Sequence, residues 1–211
     1  MAPVAGRPFL AYLIEQVRSA GCSTVVLCIG YKGSIIEAYF GDGRAYGVTL
    51  LYSREQQLLG TAGALALARP LLRQRPFFVL NGDSYCPLSF PALWAHHQAH
   101  EAKATLVAAT VPDSAPYGRL VLAADDAVLQ FREKGEPAGP SPVNAGIYLL
   151  EPTVLDLIPT DRPSSIEHEL FPKLAGRGLY AFRQAAPFID MGTPTAWRVA
   201  QTVLPTLWPQ A

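Results

Sequence analysis

The sequence predicts an α/β protein built on a doubly wound sheet, and three observations support this fold class. Two continuous apolar, β-branched runs, at residues 24–30 and 76–83, are typical of strands that are covered on both faces, as in a parallel sheet. Segments with the apolar spacing of helices alternate with these strands. The length of 211 residues and the hydrophobic fraction of 50% suit one domain, residues 1–211, with a sizeable core.

The first half of the chain alternates helices with strands. Apolar residues at helical spacing predict a first helix over 9–20, and Gly21 occupies the position of a C-terminal cap. The pattern then predicts a strand at 24–30, a helix at 33–40, a strand at 48–52, a helix at 62–68, a strand at 76–83 and a helix at 89–100. This order of elements favours the doubly wound sheet.

The second half has a different rhythm, because four strands follow one another with little helix between them. These strands are expected at residues 104–110, 118–123, 127–133 and 144–150. Two helices are then expected near 153–158 and 165–174, followed by strands at 179–184 and 188–192. A last helix is expected over 194–204, with Thr193 as its N-cap and Pro194 in its first turn.

Composition and charge exclude several classes of function. The 17 basic residues balance 17 acidic ones, so the net charge does not indicate a nucleic-acid partner. No apolar run approaches the roughly 20 residues of a membrane helix, and no signal peptide is visible, so we expect a cytoplasmic protein. Cys22, Cys28 and Cys86 are too few and too scattered to predict a disulfide framework or a zinc site. The sequence leaves the oligomeric state open.

Two aspartates stand at the ends of predicted strands. Asp83 closes the run "PFFVLNGD", and Asp190 follows the apolar start of "FIDMGTP". Ligands of open α/β sheets bind at the carboxyl ends of the strands. Mg²⁺ in turn takes one or two carboxylates together with substrate phosphates. Each aspartate taken alone could equally cap a turn or a helix. The metal hypothesis therefore depends on the convergence of the two.

Three further segments carry chemistry that suits a phosphorylated ligand. In "LLGTAGAL", the glycines around Thr61 allow a close backbone approach, and the helix that follows would offer unpaired N–H groups. In "REKG", Lys134 could pair with a phosphate and Glu133 could accept sugar hydroxyls, or the two could form a solvated charge pair. In "NAGIY", Asn144 precedes an apolar strand. It could bind the ligand, or it could simply mark the junction between a loop and the strand.

The histidine-rich segment "HHQAH" invites a metal hypothesis. His96 and His100 are four residues apart, and so lie on one face of the predicted helix, with His97 between them. The segment itself contains no acidic or thiol partner. The pattern therefore favours a solvated helix face over a metal site.

Taken together and in this order, the segments resemble the sugar-1-phosphate nucleotidyltransferases, the pyrophosphorylase family. The resemblance rests on "PVAGRPFLAYLIEQVRSAG", "LGTAGAL", "LNGDSY", "YGR", "FREK", "NAGIYLL", "SIEHELFP" and "FIDMGTP", which extend over almost the whole chain. The segments "MAPVAGRPFL", "LNGDSY" and "FIDMGTP" look closest to the guanylyltransferases that activate D-glycero-D-manno-heptose 1-phosphate. Mannose-1-phosphate guanylyltransferases and the thymidylyl and uridylyl enzymes are near relatives. The resemblance implies a Rossmann-like doubly wound mixed sheet of the nucleotide-diphospho-sugar transferase type.

The resemblance also implies an activity and a role for each site residue. A sugar 1-phosphate would attack the α-phosphate of a nucleoside triphosphate, with GTP preferred, releasing pyrophosphate and forming a nucleotide sugar for cell-surface polysaccharide. Mg²⁺ would orient the phosphates, and catalysis would be mostly positioning and electrostatics. The implied catalytic residues are Asp83, Lys134 and Asp190, of which the two aspartates are also the metal ligands. The implied nucleotide-binding residues are Leu59, Gly60, Thr61, Gly63, Asn81 and Gly82, and the sugar-phosphate-binding residues are Tyr117, Gly118, Glu133, Lys134 and Asn144.

The start of the chain also bears on this resemblance. Members of the family begin with a buried strand, a Gly-rich phosphate loop and a Lys-Pro pair, which precede the segment that matches "MAPVAGRPFL". The sequence has no match to these features. The resemblance therefore predicts an N-terminally incomplete domain that lacks the first strand and loop.

Two other classes of function stay open from the sequence. A non-catalytic nucleotide- or sugar-sensing module would account for the missing phosphate loop, whereas Asp83, Asp190 and "REK" favour an enzyme. A nucleotide-sugar glycosyltransferase would be expected to carry an Asp-x-Asp metal motif. The sequence offers only Asp125 and Asp126, in a predicted hairpin turn.

Overall fold

The computed structural model describes residues 1–72, 75–115, 117–132, 139–185 and 187–207, apart from the side chain of Arg132. The strands are β1 (Pro3–Val4), β2 (Arg7–Pro8), β3 (Thr24–Ile29), β4 (Thr49–Arg54), β5 (Phe77–Leu80), β6 (Ser84–Tyr85), β7 (Ala104–Val111), β8 (Arg119–Leu122), β9 (Val128–Arg132), β10 (Ser141–Leu150), β11 (Leu179–Gln184) and β12 (Ile189–Asp190).

The helices agree closely with those expected from the sequence. They are α1 (Phe9–Ser19), α2 (Gly33–Phe40), α3 (Gly60–Ala68), α4 (Phe90–Ala99), α5 (Phe171–Leu174) and α6 (Pro194–Leu207). Where the sequence predicts a helix near 153–158, the chain forms 3-10 turns at Pro152–Leu157. A π-helical turn, Ile166–Leu170, precedes α5. Among the described residues, no helix has the length and apolar character that crossing a membrane requires.

A mixed sheet forms the centre of the molecule, as the predicted fold class requires. Its strand order is β11-β7-β10-β8-β9, and β5 pairs with the C-terminal half of β10. The pair β7 and β11 is parallel, whereas the other pairs of this sheet are antiparallel. Along one edge, β10 changes its neighbour from β8 at Val143 to β5 at Ile147. The register with β7 also shifts, between Asn144 and Tyr148. This irregular stretch of β10 places polar groups where three strands meet.

The strands β3 and β4 form a separate two-stranded parallel sheet. The expectation that the apolar runs are covered on both faces is wrong in part. In β3 only Leu27 and Ile29 are buried, and all four residues of β5 are half-buried. The physical reason is pairing, because within the described ranges β3 pairs only with β4 and β5 only with β10.

The largest hydrophobic core lies between α3, the central sheet and the segment that leads into α5. The fully buried Tyr148 and Phe171 meet there edge to face, with ring centroids 5.0 Å apart. Ala62 and Leu65 of α3 belong to the same core. This packing fixes the start of α3 and the π-helical turn relative to β10.

A second core joins the two ends of the described chain. Phe9 of α1, Ile189 of β12 and Leu204 of α6 are buried in one cluster. The predicted N-cap of α6 is confirmed, because Thr193 Oγ1 accepts a hydrogen bond from the amide of Ala196 at 3.2 Å. The Trp197 indole also donates to the Pro3 carbonyl at 2.9 Å. The ribbon that carries Asp190 is thereby held against both α1 and α6.

Candidate active site

Two aspartates lie at neighbouring backbone positions on a short antiparallel ribbon. Strand β6 pairs with β12, so that Ser84 lies opposite Asp190. Asp83 directly precedes β6, and its carbonyl accepts a hydrogen bond from the amide of Met191 at 2.8 Å. Asp83 is exposed and Asp190 is half-buried. The structure thus brings the two predicted metal ligands to adjacent positions, although on a ribbon beside the main sheet and not at the ends of parallel strands.

The carboxylates on this ribbon are only partly engaged. Oδ1 of Asp190 accepts from the amide of Gly192 at 2.7 Å, and Oδ1 of Asp83 accepts from the Ser84 hydroxyl at 3.2 Å. Neither Oδ2 atom receives a hydrogen bond from the residues that the structure describes. A shallow surface depression of about 370 Å³ begins at Met191, the residue after Asp190, and is lined by Ala2, Met191, Gly192, Thr193, Pro194 and Trp197. Within the described ranges, however, no three acidic, histidine or cysteine side chains are grouped so that they could hold a metal.

Tyr117 lies next to this ribbon. Its ring packs against Phe188, with centroids 5.5 Å apart. Burial raises the pKa of the Tyr117 hydroxyl, and the negative charge of Asp190 raises it further. Gly118 is half-buried and leads directly into β8. The structure therefore places Tyr117 near Asp190, with Gly118 next to it in the chain.

A second cluster of polar side chains lies at the irregular part of β10. It consists of Asn144, Tyr148 and Glu167, and we call it the polar pocket. The side-chain amide of Asn144 donates to Glu167 Oε1 and to the Tyr148 hydroxyl, both at 3.0 Å. The Tyr148 hydroxyl donates to the same Glu167 oxygen at 3.4 Å. Burial raises the pKa of Tyr148, and the charge of Glu167 raises it further. The tyrosine therefore stays protonated and acts as a fixed hydrogen-bond donor.

Asn81 and Gly82 connect these two polar groups. The backbone amide of Asn81 donates to the Gly146 carbonyl at 2.8 Å. The side chain of Asn81 also hydrogen-bonds Tyr148. A Cβ atom on Gly146 would lie 2.8 Å from the Asn81 side-chain nitrogen, so a larger residue would push the two apart. Gly82 is exposed, and a Cβ atom there would meet nothing within 4 Å.

Glu167 is a site residue that the sequence reasoning did not single out, although "SIEHELFP" carried part of the resemblance. It stands two residues after Ser165, the N-cap of the π-helical turn, whose hydroxyl accepts from the amide of His168. An acidic residue in the first turn of a helix is the common complement of the helix dipole. The available signal therefore indicated a helix start and not a polar pocket.

The glycine-rich turn at the start of α3 is already closed by another part of the chain. The carbonyl of Ser164 accepts from the amides of Ala62 at 3.0 Å and Gly63 at 3.3 Å. Leu59 is held as well, because its amide donates to Glu55 and its carbonyl accepts from the amide of Ser164. The expectation that this helix offers its N–H groups freely to an anion is therefore wrong for Ala62 and Gly63.

Two predicted residues, Glu133 and Lys134, lie outside the described residues. Their assignment to the sugar phosphate remains a prediction. The strand β9, which leads toward them, ends at Arg132. Asp125 and Asp126 lie in the turn between β8 and β9, as predicted, where the Ala123 amide donates to the Ala127 carbonyl.

The histidine-rich segment is neither a solvated face nor a described metal site. His97 is 3% exposed and contacts Thr105 Oγ1 at 2.8 Å and Glu151 Oε1 at 3.4 Å through its two ring nitrogens. The rings of His96 and His100 are 4.3 Å apart and pack on Phe182 and Tyr180 respectively. The prediction of a solvated face is wrong because α4 packs this face onto β7 and β11.

Comparisons with known proteins agree with this arrangement. A family model described as "Nucleotidyl transferase" matches residues 1–205. The chain is 37% identical over 197 residues to the mannose-1-phosphate guanylyltransferase of Mycobacterium tuberculosis, covering 92% of this chain and 55% of that protein. It is 39% identical over 204 residues to the mannose-1-phosphate guanyltransferase of Eremothecium gossypii, covering 94% and 56% respectively. The chain thus spans about half the length of the curated relatives it matches.

The fold of this chain is similar to that of a solved structure. The crystal structure of HddC from Yersinia pseudotuberculosis complexed with GMP-PN matches with a TM-score of 0.84 at 29% sequence identity. The match covers 95% of this chain and 87% of that one. Because the family model extends over nearly the whole chain and relatives above 30% identity match most of it, the chain belongs to the nucleotidyl transferase family.

Proposed function

We propose that this chain transfers GMP from GTP to a sugar 1-phosphate, releasing pyrophosphate and forming a GDP-sugar. One observation carries the proposal: Asn81, whose side chain interacts with Tyr148 beside Asn144 and Glu167, precedes Asp83 of the aspartate ribbon by only two residues. The names of the relatives support GTP and mannose 1-phosphate as the first pair to test. D-glycero-D-manno-heptose 1-phosphate, which the sequence motifs favour, is the second acceptor.

The carboxylate ribbon fits a divalent cation in the chemistry of its donors. Each aspartate retains an oxygen that the described residues do not engage, and Mg²⁺ takes one or two carboxylates together with phosphate oxygens. Asp83 and Asp190 would hold the ion. When bound, Mg²⁺ would neutralise charge on the phosphates of the nucleotide.

The polar pocket fits a sugar. Glu167 Oε1 is occupied by Asn144 and Tyr148, and this orients the carboxylate so that its other oxygen can accept from a sugar hydroxyl. Asn144 is itself locked, because its Oδ1 accepts from the amide of Gly146 at 2.9 Å. We infer that Tyr117 and Gly118 line the path from this pocket to the carboxylates. Such preorganised donors and acceptors favour catalysis by positioning.

The nucleotide is proposed to lie along the turn that begins α3. Leu59, Gly60, Thr61 and Gly63 would face the base, and Asn81 and Gly82 would follow the sugar and phosphates of the nucleotide. Lys134 would pair with the phosphate of the sugar 1-phosphate as a point charge, and Glu133 would accept hydrogen bonds from the sugar hydroxyls. Since the proposed substrates are nucleoside triphosphates and sugar phosphates, we propose a cytoplasmic reaction.

Product formation tests the proposal directly. The chain is incubated with Mg²⁺, GTP and either acceptor, and GDP-sugar and pyrophosphate are quantified by chromatography, with ATP, UTP and dTTP as competing donors. Asp83→Asn and Asp190→Asn should each lower kcat about 100-fold or more, since each removes a carboxylate that would hold the cation that neutralises the phosphates. The control Asp156→Asn changes an exposed carboxylate that pairs with Arg69 away from this site, and should keep full activity.

Two outcomes would contradict the proposal. The first is the absence of nucleotide sugar with every donor and acceptor pair, while the chain remains folded. The second is product formation that survives both aspartate substitutions. The first outcome would favour the non-catalytic binding module that the sequence leaves open.

A further inference from the structure

One short segment, residues 164–167, touches both halves of the proposed site. At its start, the backbone of Ser164 is clamped to the turn that begins α3. The Ser164 amide donates to Leu59, and its carbonyl accepts from Ala62 and Gly63. At its end, Glu167 accepts from Asn144 in the polar pocket of β10. The nucleotide side and the sugar side of the site are therefore joined by four consecutive residues, which we call the linking segment.

A side chain fixes the middle of the linking segment. The hydroxyl oxygen of Thr61 accepts a hydrogen bond from the amide of Ile166 at 2.9 Å. Ile166 is 2% exposed and packs in the largest core, so its side chain and its amide are both restrained. Glu167 is the next residue, and consecutive Cα atoms are about 3.8 Å apart. A displacement of the Ile166 backbone therefore moves Glu167 almost directly.

Resting on the proposed function, we propose that Thr61 is a positioning residue for the sugar 1-phosphate, although it stands on the nucleotide turn. Its hydroxyl oxygen holds the linking segment in the place where Glu167 meets Asn144 and Tyr148. Thr61 thus acts on the sugar through Ile166 and Glu167.

Three substitutions separate this role from direct contact with the nucleotide. Thr61→Val keeps the shape and removes the hydroxyl, whereas Thr61→Ser keeps the hydroxyl. The matched control is Thr206→Val, because Thr206 is exposed on α6 and its hydroxyl donates to the Val203 carbonyl of its own helix. If Thr61→Val lowers the denaturation midpoint, Thr61→Ala repeats the test at smaller volume. Initial rates with GTP and mannose 1-phosphate give kcat and both KM values for each variant.

Thr61→Val should raise KM for the sugar 1-phosphate about fivefold, the loss expected for one hydrogen bond, and should change KM for GTP less than about twofold. Thr61→Ser should restore the wild-type values, and Thr206→Val should match them throughout. A rise confined to GTP would overturn the proposal, since it would make Thr61 a direct nucleotide ligand. Equal rises for both substrates, or no change in either, would also overturn it.

Hydrogen–deuterium exchange gives a readout that does not depend on turnover. Thr61→Val should speed exchange of the amides in residues 164–170 about fivefold, while Thr61→Ser should leave it unchanged. If the wild-type chain forms no nucleotide sugar, the proposed function fails, and this exchange experiment still decides whether the Thr61 hydroxyl holds the linking segment. Unchanged exchange in Thr61→Val would show that the hydroxyl does not hold the segment.

Discussion

The substitution Gly60→Ala probes the contact between the turn that begins α3 and the linking segment. Gly60 has φ +73°, in the left-handed region that favours glycine. A Cβ atom there would lie 2.4 Å from the carbonyl oxygen of Ser164 and 3.1 Å from its carbonyl carbon. Alanine at this position therefore meets both backbone strain and a clash with another backbone.

The expected loss can be worked out from these two terms. The left-handed conformation costs a non-glycine residue about 1–2 kcal/mol. The Ser164 carbonyl would also have to retreat by about 1 Å to reach ordinary contact distance. Its hydrogen bonds from Ala62 and Gly63 would then be lost, at about 1 kcal/mol each. Gly60→Ala should therefore lower the free energy of unfolding by about 3–4 kcal/mol.

Urea denaturation followed by circular dichroism measures this loss, and Gly21→Ala is the matched control. Gly21 has φ +87°, but a Cβ atom there would meet nothing within 4 Å. Its substitution should cost only the strain of about 1–2 kcal/mol. The reasoning would be refuted if Gly60→Ala lowered the free energy of unfolding no more than Gly21→Ala. The clash with Ser164 would then contribute nothing to the loss of stability.

Three further predictions concern single side chains. Gly82→Ala should keep the free energy of unfolding, since no atom lies within 4 Å of its Cβ position, and should raise KM for GTP if the nucleotide passes there. Lys134→Ala should raise KM for the sugar phosphate far more than KM for GTP, because a point charge on that phosphate is removed; equal effects would contradict the assignment. Burial lowers the pKa of His97 although Glu151 opposes the shift, so the folded state binds the proton less readily than the unfolded state. The free energy of unfolding should therefore be fully present above about pH 6.5 and fall as the pH drops below it. His97→Gln should flatten this dependence in urea titrations at several pH values, and an unchanged slope would exclude His97 as its source.

The elements of the fold were predictable because they depend on local spacing. The helix at 33–40 has the expected bounds, and the cap of the last helix at Thr193 follows from the sequence. The strand boundaries were less exact where pairing decides them. The run at 76–83 contributes only Phe77–Leu80 to the sheet, since the chain then turns toward the ribbon.

The site was predictable only where residue type and position along the chain pointed the same way. Asp83 and Asp190 each followed an apolar run, and the structure brings them together. The clamp at Ser164 was hidden, because it depends on backbone groups of residues far apart in sequence. The burial of His97 was likewise hidden, since its partner Thr105 is on β7 and its partner Glu151 directly follows β10.

The position of Asp190 depends on packing far from the carboxylates themselves. The β6–β12 ribbon has only two residues in each strand, and an isolated two-stranded ribbon is at best marginally stable. Its rigidity must therefore come from its supports. Ile189 is buried in the core that contains Leu204 of α6, and Trp197 of the same helix bonds the Pro3 carbonyl. The alignment of the two proposed metal ligands is therefore a property of α6 and the first residues of the chain as much as of the ribbon.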